Sequence, residues 1–481
     1  MSIEPMRILV VYADWGGPGR LSHSVWHHLH ALDQSETKHE VTYLDAWDIA
    51  PRLPVTGDEP PEPVRSNRDG YDAVILHNTF LCARWATCFY EWKHKFDWIG
   101  GLDCPKIAIP QDEGDHAGIL DEWLCDLRVT AIFSVHQPTG QGPLYPYMRD
   151  RAAFYPCLPG YIDADAAEQY VHRSAPDSSR PLDIVYRAMH LPFWFGSAGQ
   201  QKHRIAEVVG GRATARGLRC DISTRPEDTI LGDRWLTFLA SSRATVGCEG
   251  GSNVIDWRGE VRAAIESKLK KDPACTYERV AAQMPEGWDG YRFLTVTARH
   301  FEAVITRTCQ ILLEGHYKGI LHPYRHYIPL KHDFSNLDEV LDLLGNKAMV
   351  EEMTERAYEE VYVRGQHTYR HFARAIEKAV GDQRPRFRRG DGAESDQGMI
   401  RSREAMELQR QVISERFKTG LLEARQKDAL AEAARLQAEV NGLLRERRMA
   451  KALFVYGAAA LGILAVLAAA AALLLGGHVG P

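Results

Sequence analysis

At 481 residues the chain exceeds what one hydrophobic core organises, so two domains of ordinary size plus something further is the expectation. Hydrophobic residues make up 45% and charged residues 25%, a globular balance. The net charge of -6 is uneven: Arg384 to Lys451 carries +5 and the preceding chain -11, an acidic body that argues against non-specific nucleic-acid binding.

The N-terminus has no apolar run long enough for a secretory signal, and Arg7–Tyr12 reads instead as a buried first strand. Nine scattered cysteines form no C-x-x-C pair and no metal-ligand spacing, which suits a reducing compartment. The body is therefore expected in the cytoplasm. After the loop 13–19 comes a helix at about 22–32, and further strands are expected at 41–44, 73–76, 106–109 and 131–135. Strands alternating with helices imply a parallel sheet with helices on both faces. Ligands bind such sheets at the C-terminal ends of their strands, where Asp14, His77, Asn78, Gln111, Asp112, Glu113 and His136 fall. The cluster Gln111-Asp-Glu-Gly-Asp-His116 supplies acid–base candidates, and Asp112, Glu113 and His116 are taken as catalytic. Gly17-Pro-Gly19 looks like part of a dinucleotide fingerprint, but Pro18, and Ser22 where a third glycine would stand, count against NAD. Asp163-Ala-Asp165 has the D-x-D form of some metal sites; its position after Leu158–Ile162 suits a helix cap better, and no obligatory metal is expected.

Residues 1–175 thus form a first Rossmann-like domain. A second series, 181–381, has strands at 183–188, 220–223, 244–247 and 310–313 and closes with helices to about Val380. The Arg-, Gly-, Asp- and Ser-rich stretch 382–400 reads as a flexible linker. Residues 401–451 lack proline, and Leu422, Gln426, Ala429, Ala433, Leu436, Val440 and Leu443 alternate by four and three, which suits a helical stalk or a coiled coil able to pair two copies. Residues 453–475 carry no charge and are long enough to span a bilayer. Arg445, Arg447, Arg448 and Lys451 precede them, which predicts a C-terminal tail anchor with the body on the cytoplasmic side.

Chemistry concentrates in the second domain. Phe301-Glu302-Ala303 precedes the strand 310–313, and Glu314-Gly315-His316-Tyr317-Lys318-Gly319 follows it. A carboxylate such as Glu302 accepts two hydrogen bonds from a ribose diol. A glycine-bracketed loop with Glu314, Gly315, His316, Tyr317 and Gly319 offers backbone N–H groups to a diphosphate. At the domain's entry Arg187 and His190 precede a glycine-containing loop, and Lys202 and Arg204 follow near a helix start. Cations so grouped suit an anionic ligand.

Over residues 183–380 this pattern resembles the donor-binding domain of GT-B glycosyltransferases, a class that includes the group 1 enzymes. In that class a Glu on the helix before the last strand holds the nucleotide's ribose, and the next loop faces sugar and phosphates. Glu302 and Glu314 to Gly319 match those positions, while Gly319 to Leu330 and Phe334 to Glu339 are similar to segments of bacterial members. Over 1–170 the resemblance is architectural. The Glu-x7-Glu pair of many retaining members is missing, since Leu294 stands eight residues before Glu302, and Glu249 is the nearest alternative acid. The resemblance implies a nucleotide-sugar donor, and the anchor points to a lipid-linked or envelope glycan acceptor. An inactive scaffold or a nucleotide-sugar epimerase of the same architecture are the alternatives.

Overall fold

A computed structural model of the chain describes residues 4–389, apart from 16–20, 54–58, 68–69, 137–140, 172–178 and 233. The expected stalk at 401–451 and the apolar segment 453–475 lie outside the described residues. Among the described residues no helix is long and apolar enough to cross a membrane.

The first sheet has six strands: β1 (Arg7–Tyr12), β2 (Glu40–Asp45), β3 (Ala73–Leu76), β4 (Lys106–Ala108), β5 (Ala131–Ser134) and β6 (Ala153–Pro156). They run parallel in the order β2-β1-β3-β4-β5-β6, with Ile8 of β1 opposite Val41 on one side and Ala73 on the other. Being central, β1 is apolar on both faces: Ile8 and Val10 enter one core, Leu9 and Val11 the other. The second half holds β7 (Leu182–Arg187), β8 (Cys220–Ser223), β9 (Ser242–Gly247), a short antiparallel ladder of β10 (Gly250–Ser252) and β11 (Phe293–Thr295), β12 (Cys309–Leu313) and β13 (Ile328–Leu330). Its main sheet is parallel in the order β13-β12-β9-β7-β8. The α/β fold with parallel sheets is as the sequence indicated, and both sheets stand in one compact unit. Four strands were not anticipated: β10 and β11 form the short antiparallel ladder, and β6 and β13 are edge strands containing a proline, Pro156 and Pro329, where a strand tolerates one.

Packing crosses the expected boundary near residue 175 twice. The helix α1 (His23–Leu29) and α2 (Ala117–Asp126) cover opposite faces of the first sheet. The next helix, α3 (Ala164–Val171), buries Ala167 and Tyr170 against the second half, beside Val185, Trp235 and Phe301. There α4 (Gly196–Ala215), α5 (Arg234–Ala240) and α6 (Ala298–Ile305) flank the sheet, and α7 (Leu337–Gly345) and α8 (Lys347–Ala357) follow β13. The last described helix, α9 (Tyr369–Arg389), then returns to the first sheet and packs Tyr369, Phe372, Ile376 and Val380 on Ile8, Ile75 and Phe133. The two crossings lie side by side, with Ile162 N–H donating to His367 O at 2.7 Å and Tyr369 N–H to Ile162 O at 3.0 Å. The sequence reading placed a linker from 382, but α9 continues through 382–389. Arg384 pairs with Asp72 at 2.6 Å and Tyr155 donates to Asp382 at 2.9 Å, so this polar stretch is held on the first half.

A seam joins the halves. Asp256 N–H donates to Gly114 O at 2.8 Å, while Ala117 N–H and Gly118 N–H donate to Asp256 O and Trp257 O, each at 3.0 Å. Backbones this close leave no room for a side chain at Gly114, where a Cβ would sit 2.6 Å from Val254 O.

Candidate functional site

Between the two sheets lies a depression lined by Asp112, Asp115 and His136 from the first half and Trp194, Ser252 and Phe293 from the second. The C-terminal ends of β4 and β5 face the loops that follow β9 and β12. This is the position at which parallel sheets take ligands.

From the second half, α6 presents Glu302. It is 6% exposed, and Oε2 accepts Trp235 Nε1–H at 2.6 Å. Burial raises its carboxyl above the ordinary range, with the Trp235 bond and the charge of Arg299 opposing. Arg299, one turn earlier on α6, donates to Arg187 O and lies 5.2 Å over the Trp235 ring. On α4, Lys202 forms no hydrogen bond or ion pair with the described residues. Burial holds its ammonium below the lysine range; Arg299 adds to that and Asp112 opposes it. Asp112, from the loop after β4, is itself exposed, yet the protein mass around it raises its carboxyl, with Arg84 and Lys202 opposing. Electrostatic contact thus runs Glu302, Arg299, Lys202, Asp112 across the cleft.

The loop after β12 is built around an acid that the sequence offered only as an alternative. Glu249 Oε1 accepts Tyr317 N–H at 2.9 Å, and a Cβ at Gly315 would stand 2.7 Å from Glu249 Oε2, so a side chain there would push the Glu249 carboxylate aside. Tyr317 and Lys318 both have positive φ, 43° and 54°, which costs non-glycine residues energy. That geometry is held by the Glu249 bond, by the Tyr317 hydroxyl on Leu313 O at 2.6 Å and by Lys318 Nζ on Val135 O at 2.7 Å, the last spanning the halves. His136, beside Lys318, is pushed down to about 3 by burial and by that ammonium. Glu314, His316 and Gly319 are exposed around this frame, whereas the Tyr317 side chain is buried beneath it.

The other sequence candidates are committed to partners of their own or stand exposed. Arg187 spends its guanidinium on Asp221 Oδ1 at 2.7 Å and on the carbonyls of Tyr186, Asp221 and Asp228. Arg204, two residues from Lys202, leaves the helix on another side and lies 5.1 Å over Phe334. His190 is exposed, stacked on His203 at 4.1 Å. Glu113 is wholly buried: Ser134 Oγ and Val135 N–H each donate to it at 2.7 Å and Tyr145 Oη at 2.5 Å. Burial still raises it to about 6 despite those bonds. Its carboxylate serves as a structural hub beneath Asp112, whose loop is further tied by buried Arg84 through the carbonyls of Gln111, Asp112 and Asp115. His116 bonds Asp115 Oδ1 at 2.6 Å and packs on Gly259, at the seam. Asp163 caps α3, as its context indicated, accepting from Asp165 N–H and Ala166 N–H. Arg299 and Lys318, not singled out in the sequence, flank Glu302 and Tyr317; their signal was a cation next to each expected ligand contact.

No family model matches the chain. Over 87 residues it is 33% identical to a glycogen synthase of Gloeobacter violaceus, taking in 17% of this chain and 18% of that protein. The chain therefore spans under a fifth of that relative's length. The likeness agrees with the resemblance read from the sequence. Among solved structures it is similar to an alpha1,3-fucosyltransferase with GDP, at 11% identity and TM-score 0.38 over 80% of this chain and 91% of that one. It is also similar to TarM, at 8% identity and TM-score 0.37 over 70% and 57%.

Proposed function

We propose that the chain is a glycosyltransferase that moves a sugar from a nucleotide-sugar donor to a lipid-linked or envelope glycan acceptor at the cytoplasmic face of a membrane. The observation that carries the reading is the depression between the two sheets at their strand ends, lined by Asp112 from the first half and Trp194, Ser252 and Phe293 from the second, with the Glu249-braced loop Glu314–Gly319 tied across the halves by Lys318. Glu302 takes the ribose diol of the donor. Lys202 and Arg299 face its diphosphate and stabilise the charge that develops as the nucleoside diphosphate leaves. Asp112, whose carboxyl is raised by its surroundings, is positioned as the base that receives the acceptor hydroxyl's proton. The loop Glu314–Gly319, braced by Glu249 and Lys318, closes over the sugar. The scheme draws on side-chain cations and calls for no obligatory metal. The uncharged segment 453–475 and the basic residues Arg445 to Lys451 support the membrane setting, where tethering enzyme and acceptor to one surface raises their effective concentration.

The test uses the full chain in liposomes with a panel of nucleotide-sugars. Release of nucleoside diphosphate should require both one particular donor and a lipid-linked glycan acceptor. Donor binding without release under any acceptor would replace the reading with a binding or scaffold role, and conversion of the donor sugar without acceptor would make the protein an epimerase. A chain lacking residues 452–481 should act equally well on soluble acceptor and poorly on acceptor in liposomes. Equal action on both would remove the membrane part of the proposal.

A further inference from the structure

Where the chain crosses between the halves, three side chains distant in sequence bring ligating atoms together. His23 and His27 stand one turn apart on α1, so their imidazoles share a face, with ring centroids 4.3 Å apart. Asp163, the residue before α3, meets both: its Oδ2 lies 3.6 Å from His23 Nε2 and 3.3 Å from His27 Nε2. The other carboxylate oxygen accepts the N–H groups of Asp165 at 3.0 Å and Ala166 at 3.3 Å, which fixes the carboxylate and leaves Oδ2 for the imidazoles. One ligand atom from each residue falls within 4.8 Å of the other two, the only such group among the described residues.

The spacing decides what this group fits. A tetrahedral zinc site with bonds of about 2.1 Å has ligand-to-ligand edges of about 3.4 Å, and the two measured separations bracket that value. Two imidazoles and one carboxylate also select zinc-like ions over magnesium or calcium, which prefer all-oxygen shells. We propose that His23, His27 and Asp163 bind a divalent transition-metal ion of the zinc class, with a fourth position reached by solvent past the partly exposed His27.

Its position gives the ion a mechanical task. His23 and His27 belong to the first half, and Asp163 opens the helix that packs on the second. Tyr369, at the return crossing, stacks on His27 at 5.9 Å and donates its hydroxyl to Ser24 O at 2.9 Å. An ion here would join α1 to the segment in which the chain first crosses between the halves, beside the return crossing that Tyr369 already ties to α1. His23 lies within electrostatic range of Glu302, but the site is read from its own three ligands and does not depend on the sugar-transfer reading.

The experiment titrates Co²⁺ into the full-length, tag-free, chelator-treated protein and follows the visible absorption of a low-coordinate cobalt site, then displaces the cobalt with Zn²⁺. About one ion per chain should bind, and Zn²⁺ should raise the melting temperature. Asp163→Asn keeps the cap on Oδ1 and removes the anionic ligand. With His27→Gln as a second variant, each should weaken binding by more than about 100-fold, since loss of a ligand exceeds the cost of losing an outer-shell partner. Each should melt like the metal-free parent protein. Absence of saturable Co²⁺ binding by the parent, or binding unchanged in both variants, overturns the proposal.

Discussion

Replacing Gly114 by Ala is the sharpest test of the seam that sets the cleft. The new Cβ would lie 2.6 Å from Val254 O, whereas ordinary contact begins near 3.4 Å. About 0.8 Å must therefore be found, and both partners are backbone, so no side chain can swing aside. The three hydrogen bonds along the seam measure 2.8, 3.0 and 3.0 Å. Lengthened by that amount they pass beyond hydrogen-bond range. At about 1 kcal/mol each, their loss comes to about 3 kcal/mol, and the melting temperature should fall by roughly 5 °C. Because the donor-side loop Glu314–Gly319 is tied to the first half through Lys318 and Val135 O, donor affinity should fall too. Gly211→Ala, in the interior of α4 with nothing near its Cβ, is the control and should stabilise by about 0.5–1 kcal/mol. Differential scanning calorimetry measures both. If Gly114→Ala melts within about 1 °C of the parent with unchanged donor binding, the seam is soft and does not set the cleft.

Glu113→Gln tests the buried hub by pH. The folded carboxyl sits at about 6 against an ordinary 4.5, so its contribution to stability is complete below about pH 4.5 and is lost as pH rises through 6. The variant, having no such ionisation, should gain about 2 kcal/mol on the parent between pH 4.5 and 7; parallel stability curves would refute this. Glu302→Ala should weaken donor binding by about 1.5–3 kcal/mol, the range for hydrogen bonds to a charged group, with isothermal titration as the check. Lys202→Met should weaken nucleoside diphosphate and nucleotide-sugar by a similar factor, roughly tenfold or more, while leaving the free nucleoside unaffected; equal loss for all three would mean it acts only on the fold.

The buried parallel strands were legible because apolar runs such as Ile8 to Val11 carry their own signal, and the strand ends located the cleft. Two of the four edges were not: Pro329 inside β13 and Pro156 ending β6 speak against strands locally, and only a neighbour on one side makes them so. Glu302 stood out by its place before an apolar strand. The commitment of Arg187 did not, because Asp221 and Asp228 reach it only after folding. Lys202 and Arg204 looked equivalent in sequence, and helical geometry alone separates them. The convergence of His23 and His27 with Asp163 spans the whole first sheet and has no local trace.

The return of α9 also orders the protein's birth. As the ribosome works from β6 to Tyr369, one face of the first sheet, with Ile8, Ile75 and Phe133, has been made but lacks the helix that covers it. At ordinary elongation rates that interval lasts roughly ten to forty seconds, long enough for an uncovered apolar surface to attract other nascent chains or a chaperone. A substitution such as Phe372→Asp, in the last described helix, should therefore show itself as aggregation of the beginning.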